Sequence, residues 1–144
     1  MKNFLLLVVL SVTVFAACKK TVADPVATDP IVLSVDGATV TRSGQLVFSS
    51  KDEAGGSVTI YKQKNGRYIL GLEQMSFSSP FDMNVYLSAT PGLTTASIKL
   101  FSAKNFTGNM YYALPAGINI DAFKYFMLQN DTAEQPAASA MLTQ

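Results

Sequence analysis

The chain has no histidine and no tryptophan, and Cys18 is its only cysteine in 144 residues. Without histidine, Ser-His-Asp and Cys-His nucleophilic catalysis are excluded. The commoner zinc, copper and iron sites, built from His and Cys, go with it. A single thiol excludes an intrachain disulfide. Any enzyme made from this sequence would have to work with carboxylates, lysine or tyrosine. Charge is sparse and balanced, with eleven Lys/Arg against ten Asp/Glu, for a formal net charge of +1. No basic run exists to neutralise phosphates, which argues against a nucleic-acid partner. No apolar run after residue 18 approaches the roughly 20 residues that a bilayer span needs, and no segment keeps a helical period.

What the chain does have begins with residues 1–18, MKNFLLLVVLSVTVFAAC. Lys2 gives a basic start, residues 4–14 are apolar except for Ser11 and Thr13, and Ala16-Ala17 precede Cys18. A basic region, a short apolar core and a small-residue cleavage site are the marks of a secretory signal. With the cysteine directly after the small residues, the stretch resembles a bacterial lipobox. Phe15 stands where that motif usually has leucine. The resemblance implies cleavage between Ala17 and Cys18, a thioether-linked diacylglycerol on Cys18 and acylation of the new N-terminus. Several chains on one terminus anchor a protein stably where a single chain does not. The expected location is the bacterial cell envelope, at the outer membrane in preference to the inner. The expected mature product carries a tether over residues 18–30, whose Pro25 and Pro30 and lack of apolar period exclude regular structure. Twelve extended residues reach up to about 40 Å.

From residue 31 the pattern becomes one of short strands separated by turn signals. Expected strands cover residues 31–35, 38–42, 45–49, 57–64, 67–77, 83–89, 96–102, 109–114 and 122–129. Residues 137–142 read as a last strand or a short helix. Asp36-Gly37, Ser43-Gly44 and Asn65-Gly66 are turn pairs, and residues 50–56, 78–82, 90–95, 103–108 and 130–136 read as connections. Asn65-Gly66 is the clearest hairpin signal. A two-residue type I′ loop there would set Lys64 opposite Arg67, Tyr61 opposite Leu70 and Thr59 opposite Leu72. Strands at this spacing describe an all-β protein, an antiparallel β-sandwich in a single domain over residues 31–144.

Three stretches resemble the DM13 domain, a small β-sandwich module that also occurs in bacterial lipoproteins. They are residues 56–60, then 80–88 (PFDMNVYLS), then 108–115 (GNMYYALP) followed by 118–125, together spanning about 56–142. The family commonly carries a cysteine near the end of the strand after the Leu-Pro segment, with a proposed redox role. Here that strand ends Leu128-Gln129-Asn130, without a thiol. The resemblance implies the fold and, as an alternative function, an electron-transfer accessory, but it supplies no residue to hold a redox group.

Isolated candidates remain. Asp82, beside Pro80 and Phe81, is either a ligand for a cation or a turn cap. Asp52, Glu53, Asp121 and Glu134 are scattered, and residues 119–121 lack a calcium-loop pattern. Tyr111-Tyr112 and residues 123–126 offer aromatic rings for a carbohydrate surface or for the core. Asn105 with Thr107, and Asn130 with Thr132, match the N-glycosylation pattern, a coincidence in a bacterial setting. Asp131-Thr132-Ala133 resembles an O-glycosylation acceptor of bacterial envelope proteins. No catalytic, metal or cofactor residue is assigned. The expectation is a lipid-anchored, non-catalytic binding or structural module that meets the membrane through its lipid and a protein, glycan or small ligand through its domain. A carboxylate-based hydrolase of envelope polymers is the further alternative.

Overall fold

The computed structural model describes residues 33–50 and 54–144. The signal, Cys18 and the tether lie outside the described residues, as do Asp52 and Glu53. Seven strands follow one another: β1 (Thr39–Gln45), β2 (Val47–Phe48), β3 (Gly55–Lys62), β4 (Tyr68–Ser88), β5 (Ile98–Ala113), β6 (Tyr125–Gln129) and β7 (Ala138–Met141). One 3-10 turn, Ile120–Ala122, joins β5 to β6. Among the described residues no helix is long and apolar enough to cross a membrane.

The strands form one antiparallel sheet in the order β1-β3-β4-β6-β7-β2, with β5 along the other edge of β4. β4 organises it. Its first half lies between β3 and β5, and its second half between β6 and β5. The sheet folds over on itself until its ends meet. Ser43 N donates to Thr143 O at 2.8 Å and Thr143 N returns the bond to Ser43 O at 2.9 Å. The result is all-β, as the strand pattern implies, with the sheet nearly closed and barrel-like. Val58, Ile60, Leu70, Leu72, Val85, Leu87, Phe106, Phe126 and Leu128 fill the interior with no exposed surface. Each such side chain contributes about 1.5–3 kcal/mol through burial.

Several expected breaks are bends instead. Residues 78–82 were expected to connect two strands, yet β4 runs through them. The ladder to β5 goes from Ser78↔Asn105 to Met83↔Ala103, leaving four residues of β4 against one of β5. Pro80 has no N–H to offer a ladder, and this bulged corner is where it is tolerated. Residues 103–108 likewise continue β5, with Phe106 fully buried at the bend and Gly108 at φ +71°. The bend brings the two halves of β5 back together, so that Phe101 and Tyr112 stack with centroids 3.8 Å apart.

Ser43-Gly44 is not a turn either. Both residues lie within β1, and a Cβ on Gly44 would sit 2.3 Å from the Met141 carbonyl oxygen. Glycine is needed there for close backbone approach at the closing seam. The Asp36-Gly37 turn forms, with Ala38 N bonded to Val35 O, but residues 33–38 join no ladder. Residue 122 belongs to the 3-10 turn, so β6 starts later than its sequence pattern implies. Residues 138–141 resolve as strand rather than helix.

The clearest hairpin also differs in register. Gly66 N bonds Gln63 O, Gln63 N bonds Arg67 O, and only Gly66, at φ +81°, takes positive φ. This is a three-residue loop closed by a glycine bulge, not a type I′ pair. Adding a residue to the loop shifts the pairing to Tyr61↔Ile69, Ile60↔Leu70 and Val58↔Leu72.

The seam can be tested through Gly44. Gly44→Ala should lower the urea midpoint, costing about 1–3 kcal/mol through overpacking against Met141. An unchanged midpoint would contradict the closure.

Candidate functional site

The observed register sorts β3, β4 and β5 into two faces, because side chains alternate along a strand. Val58 and Ile60 point inward with Leu70 and Leu72. Thr59 and Tyr61 lie on the opposite face, level with Gly71 and Ile69, where Thr59 and Ile69 are themselves buried, and Ser57 pairs with Glu73. Across β4, Gly71 pairs with Tyr111. Across β3, Ser43 pairs with Thr59 and Gln45 with Ser57. This opposite face thus gathers hydroxyls, an amide, two tyrosines and one carboxylate around a glycine.

Glu73 is the centre. It sits in a bulge where the β4–β5 ladder steps from Leu72↔Met110 to Met75↔Gly108. The next residue, Gln74, is the one described non-glycine residue with positive φ, at +51°, and Asn109 Oδ1 accepts from its N–H at 2.9 Å. A bulge of this kind re-aims a neighbouring side chain. Glu73 Oε1 accepts from the Tyr61 hydroxyl in a short hydrogen bond and from the Tyr111 hydroxyl at 3.5 Å, while Oε2 accepts from Thr59 Oγ1 at 3.2 Å. The Tyr61 and Tyr111 rings lie over Gly71, where a Cβ would come within 2.9 Å of Tyr61 and 3.1 Å of Tyr111. Their centroids are 6.3 Å apart in an edge-on arrangement. Beside this cluster lies an open depression of about 350 Å³, lined by Ser43, Gly44, Gln45, Ser57, Thr59 and Thr143.

The electrostatics keep both phenols neutral. Burial, then the hydrogen bond and charge of Glu73, push the Tyr61 hydroxyl up to about 12. Burial and the Glu73 charge raise Tyr111 as well. The site therefore presents protonated phenols donating to a carboxylate, an arrangement for hydrogen bonding.

The residues singled out from sequence are dispersed. Asp82 is exposed at the β4 corner, where its backbone oxygen accepts from Asn130 Nδ2 at 3.2 Å. Asp121 pairs with Arg42 at 3.2 Å, and its N–H bonds Asn119 Oδ1 at the 3-10 turn. At 74% side-chain exposure of Asp121, that ion pair is worth little. Glu134 is exposed in a turn. Tyr111 and Tyr112 fall on opposite faces, since neighbours in a strand must, and Tyr112 packs against the core. Phe123 and Phe126 are buried in the core and offer no ring to a surface ligand. Asn105 accepts from Ser78 Oγ, and Asn130 Oδ1 from Thr132 N and Oγ1. Asp131 accepts from Asn84 Nδ2 and the Tyr86 hydroxyl. Burial, then Asp131, raise the Tyr86 hydroxyl above its ordinary value.

Of this cluster only Tyr111 was a candidate from sequence. Tyr61, Glu73, Thr59 and Gln45 were missed. The signal that finds them is the hairpin register, because only a three-residue loop sets Ser57 opposite Glu73 and Thr59 opposite Gly71. No family model, curated protein or solved structure matches the chain.

The Tyr61–Glu73 contact predicts a titration. The folded-state value of Tyr61 lies above its ordinary 10.0. Its contribution to stability is therefore complete below pH 10 and lost as pH rises through about 12. In Glu73→Gln, Tyr61 should ionise at lower pH than in the wild type while staying above 10.0, since burial is the largest cause. Difference absorbance of tyrosinate, referenced to Tyr61→Phe, measures this; an unchanged curve would contradict the contact.

Proposed function

We propose that the protein is a lipid-anchored binding module of the bacterial cell envelope. It is held by Cys18 and displays its β-domain on the tether of residues 18–30. The observation that carries the binding half of this reading is the cluster around Glu73. There a rigid sheet fixes one carboxylate, two tyrosines and a row of hydroxyls on one face. The anchoring half is supported by the order Lys2, apolar core, Ala16-Ala17, Cys18. The domain works by recognition rather than catalysis. Among the described residues Glu73 is bonded to three hydroxyls, whereas hydrolysis of a polymer needs two carboxylates facing each other across a cleft. The DM13 resemblance stays a proposal about ancestry of the fold. Its segments map to β3, the second half of β4, and the end of β5 with the 3-10 turn and the first residue of β6.

Cell fractionation tests the anchor. Cys18→Ala should leave the membrane fraction or accumulate with its signal uncleaved, and metabolic labelling with radioactive palmitate should be lost. A variant that is processed normally and remains on the membrane would refute the lipid attachment.

A further inference from the structure

We propose that the face around Glu73 binds an uncharged, hydroxyl-rich ligand, an oligosaccharide without acidic groups; this rests on the binding-module reading above and names its ligand class. Three independent features of the site converge on that chemistry.

The first is its hydrogen-bonding inventory. Ser43, Gln45, Ser57, Thr59 and Thr143 line the depression, and Glu73 adjoins it through Thr59. Hydroxyls and amides both donate and accept, which matches sugar hydroxyls that do the same. Glu73 takes three hydroxyl donors, and a carboxylate offers about four acceptor positions, so one remains for a ligand hydroxyl. Tyr61 and Tyr111 each donate to Glu73, which leaves their oxygen lone pairs to accept from a ligand.

The second is charge. Among the described residues, none that lines the depression or bonds Glu73 is cationic. Arg42, adjacent in the chain, is directed away to Asp121 and the Phe123 carbonyl. A phosphorylated or carboxylated ligand would meet the Glu73 charge with no cation among the described lining residues to offset it, so the site discriminates against anions by repulsion.

The third is shape. The depression is open and of about 350 Å³, at the lower end of the range of small-molecule sites, about 300–1,000 Å³. An open site admits a few rings of a longer chain without requiring its end. Val40, 55% exposed, pairs with Tyr61 on the same face and offers an apolar side chain against which the C–H face of a sugar ring can rest. The bulge at Glu73 adds a further observation. A non-glycine residue at positive φ is a local cost, and such costs cluster at binding sites where a side chain must be aimed.

The test is a titration of the full-length chain in detergent, carrying isotope-labelled tyrosine. The neutral probes are chitotetraose, cellotetraose and mannotetraose; tetragalacturonate is the anionic comparison. At least one neutral probe should move the Tyr61 and Tyr111 ring signals saturably, with Kd in the millimolar range, about 1–10 mM. Tetragalacturonate should bind about tenfold or more weakly. Thr59→Val, nearly isosteric, and Gln45→Ala, at an exposed position, should each weaken binding by roughly three- to tenfold, with the chemical-shift pattern of the fold unchanged. No saturable shift from any neutral probe at about 10 mM would overturn the proposal. So would equal binding of tetragalacturonate. Saturable shifts confined to other residues would overturn this site while the binding-module reading stood. Loss of that reading's anchor would show separately, in the Cys18→Ala fractionation.

Discussion

The turn at residues 63–67 sets which side chains of the first hairpin face in. Gly66 alone takes positive φ there, so the loop holds three residues rather than two. One residue more or less in that loop would exchange the two faces of one strand relative to the other, because the side-chain period is two. With the observed register, Val58, Ile60, Leu70 and Leu72 all point into the core and are fully buried. The complementary set, Thr59, Tyr61, Gly71 and Glu73, is thereby committed to the opposite face, where Tyr61 and Glu73 are half-buried and Thr59 is buried. Core and candidate site are two consequences of one pairing.

The rest of the fold extends that hairpin. β4 continues past Glu73, turns a corner at residues 79–82 and becomes the partner of β6, while β5 follows it around the same bend. A strand bent this way serves both halves of the sheet, and Phe106 anchors the bend from inside. Closure then depends on two close approaches. Ser43 pairs with Thr143 across the seam, with Gly44 making room for the Met141 carbonyl, and Phe101 stacks on Tyr112 where the two halves of β5 meet. Around Glu73, Gly71 is held by backbone pairing on both sides, while Glu73 pairs with Ser57 of β3 and is released from β5 by the bulge.

The all-β class was legible because the apolar residues of β3 and of the second half of β4 alternate, β6 is a short apolar run, and the intervening segments carry turn chemistry. What was not legible were the breaks. Pro80, Gly108 and Gly44 are residues of turns in isolation, but here they permit a corner, a bend and a tight seam. That distinction belongs to the partner strand, which local sequence does not describe. Asn65-Gly66 announced a turn correctly and its type incorrectly, since the preference for type I′ is statistical and packing of Ile60 and Leu70 decides. The site was hidden for the same reason. Tyr61 and Glu73 are twelve positions apart and meet only in the observed register, and the bulge at Glu73-Gln74 carries no glycine to mark it. Tyr111-Tyr112, read as a pair, are divided between surface and core by the strand period.

The register is open to direct measurement by cross-strand NOEs in the full-length chain. Directly opposed contacts should join Ile60 with Leu70, Val58 with Leu72 and Tyr61 with Ile69. Contacts that instead place Tyr61 opposite Leu70 and Thr59 opposite Leu72 would contradict the account, since Tyr61 and Glu73 would then no longer share a face.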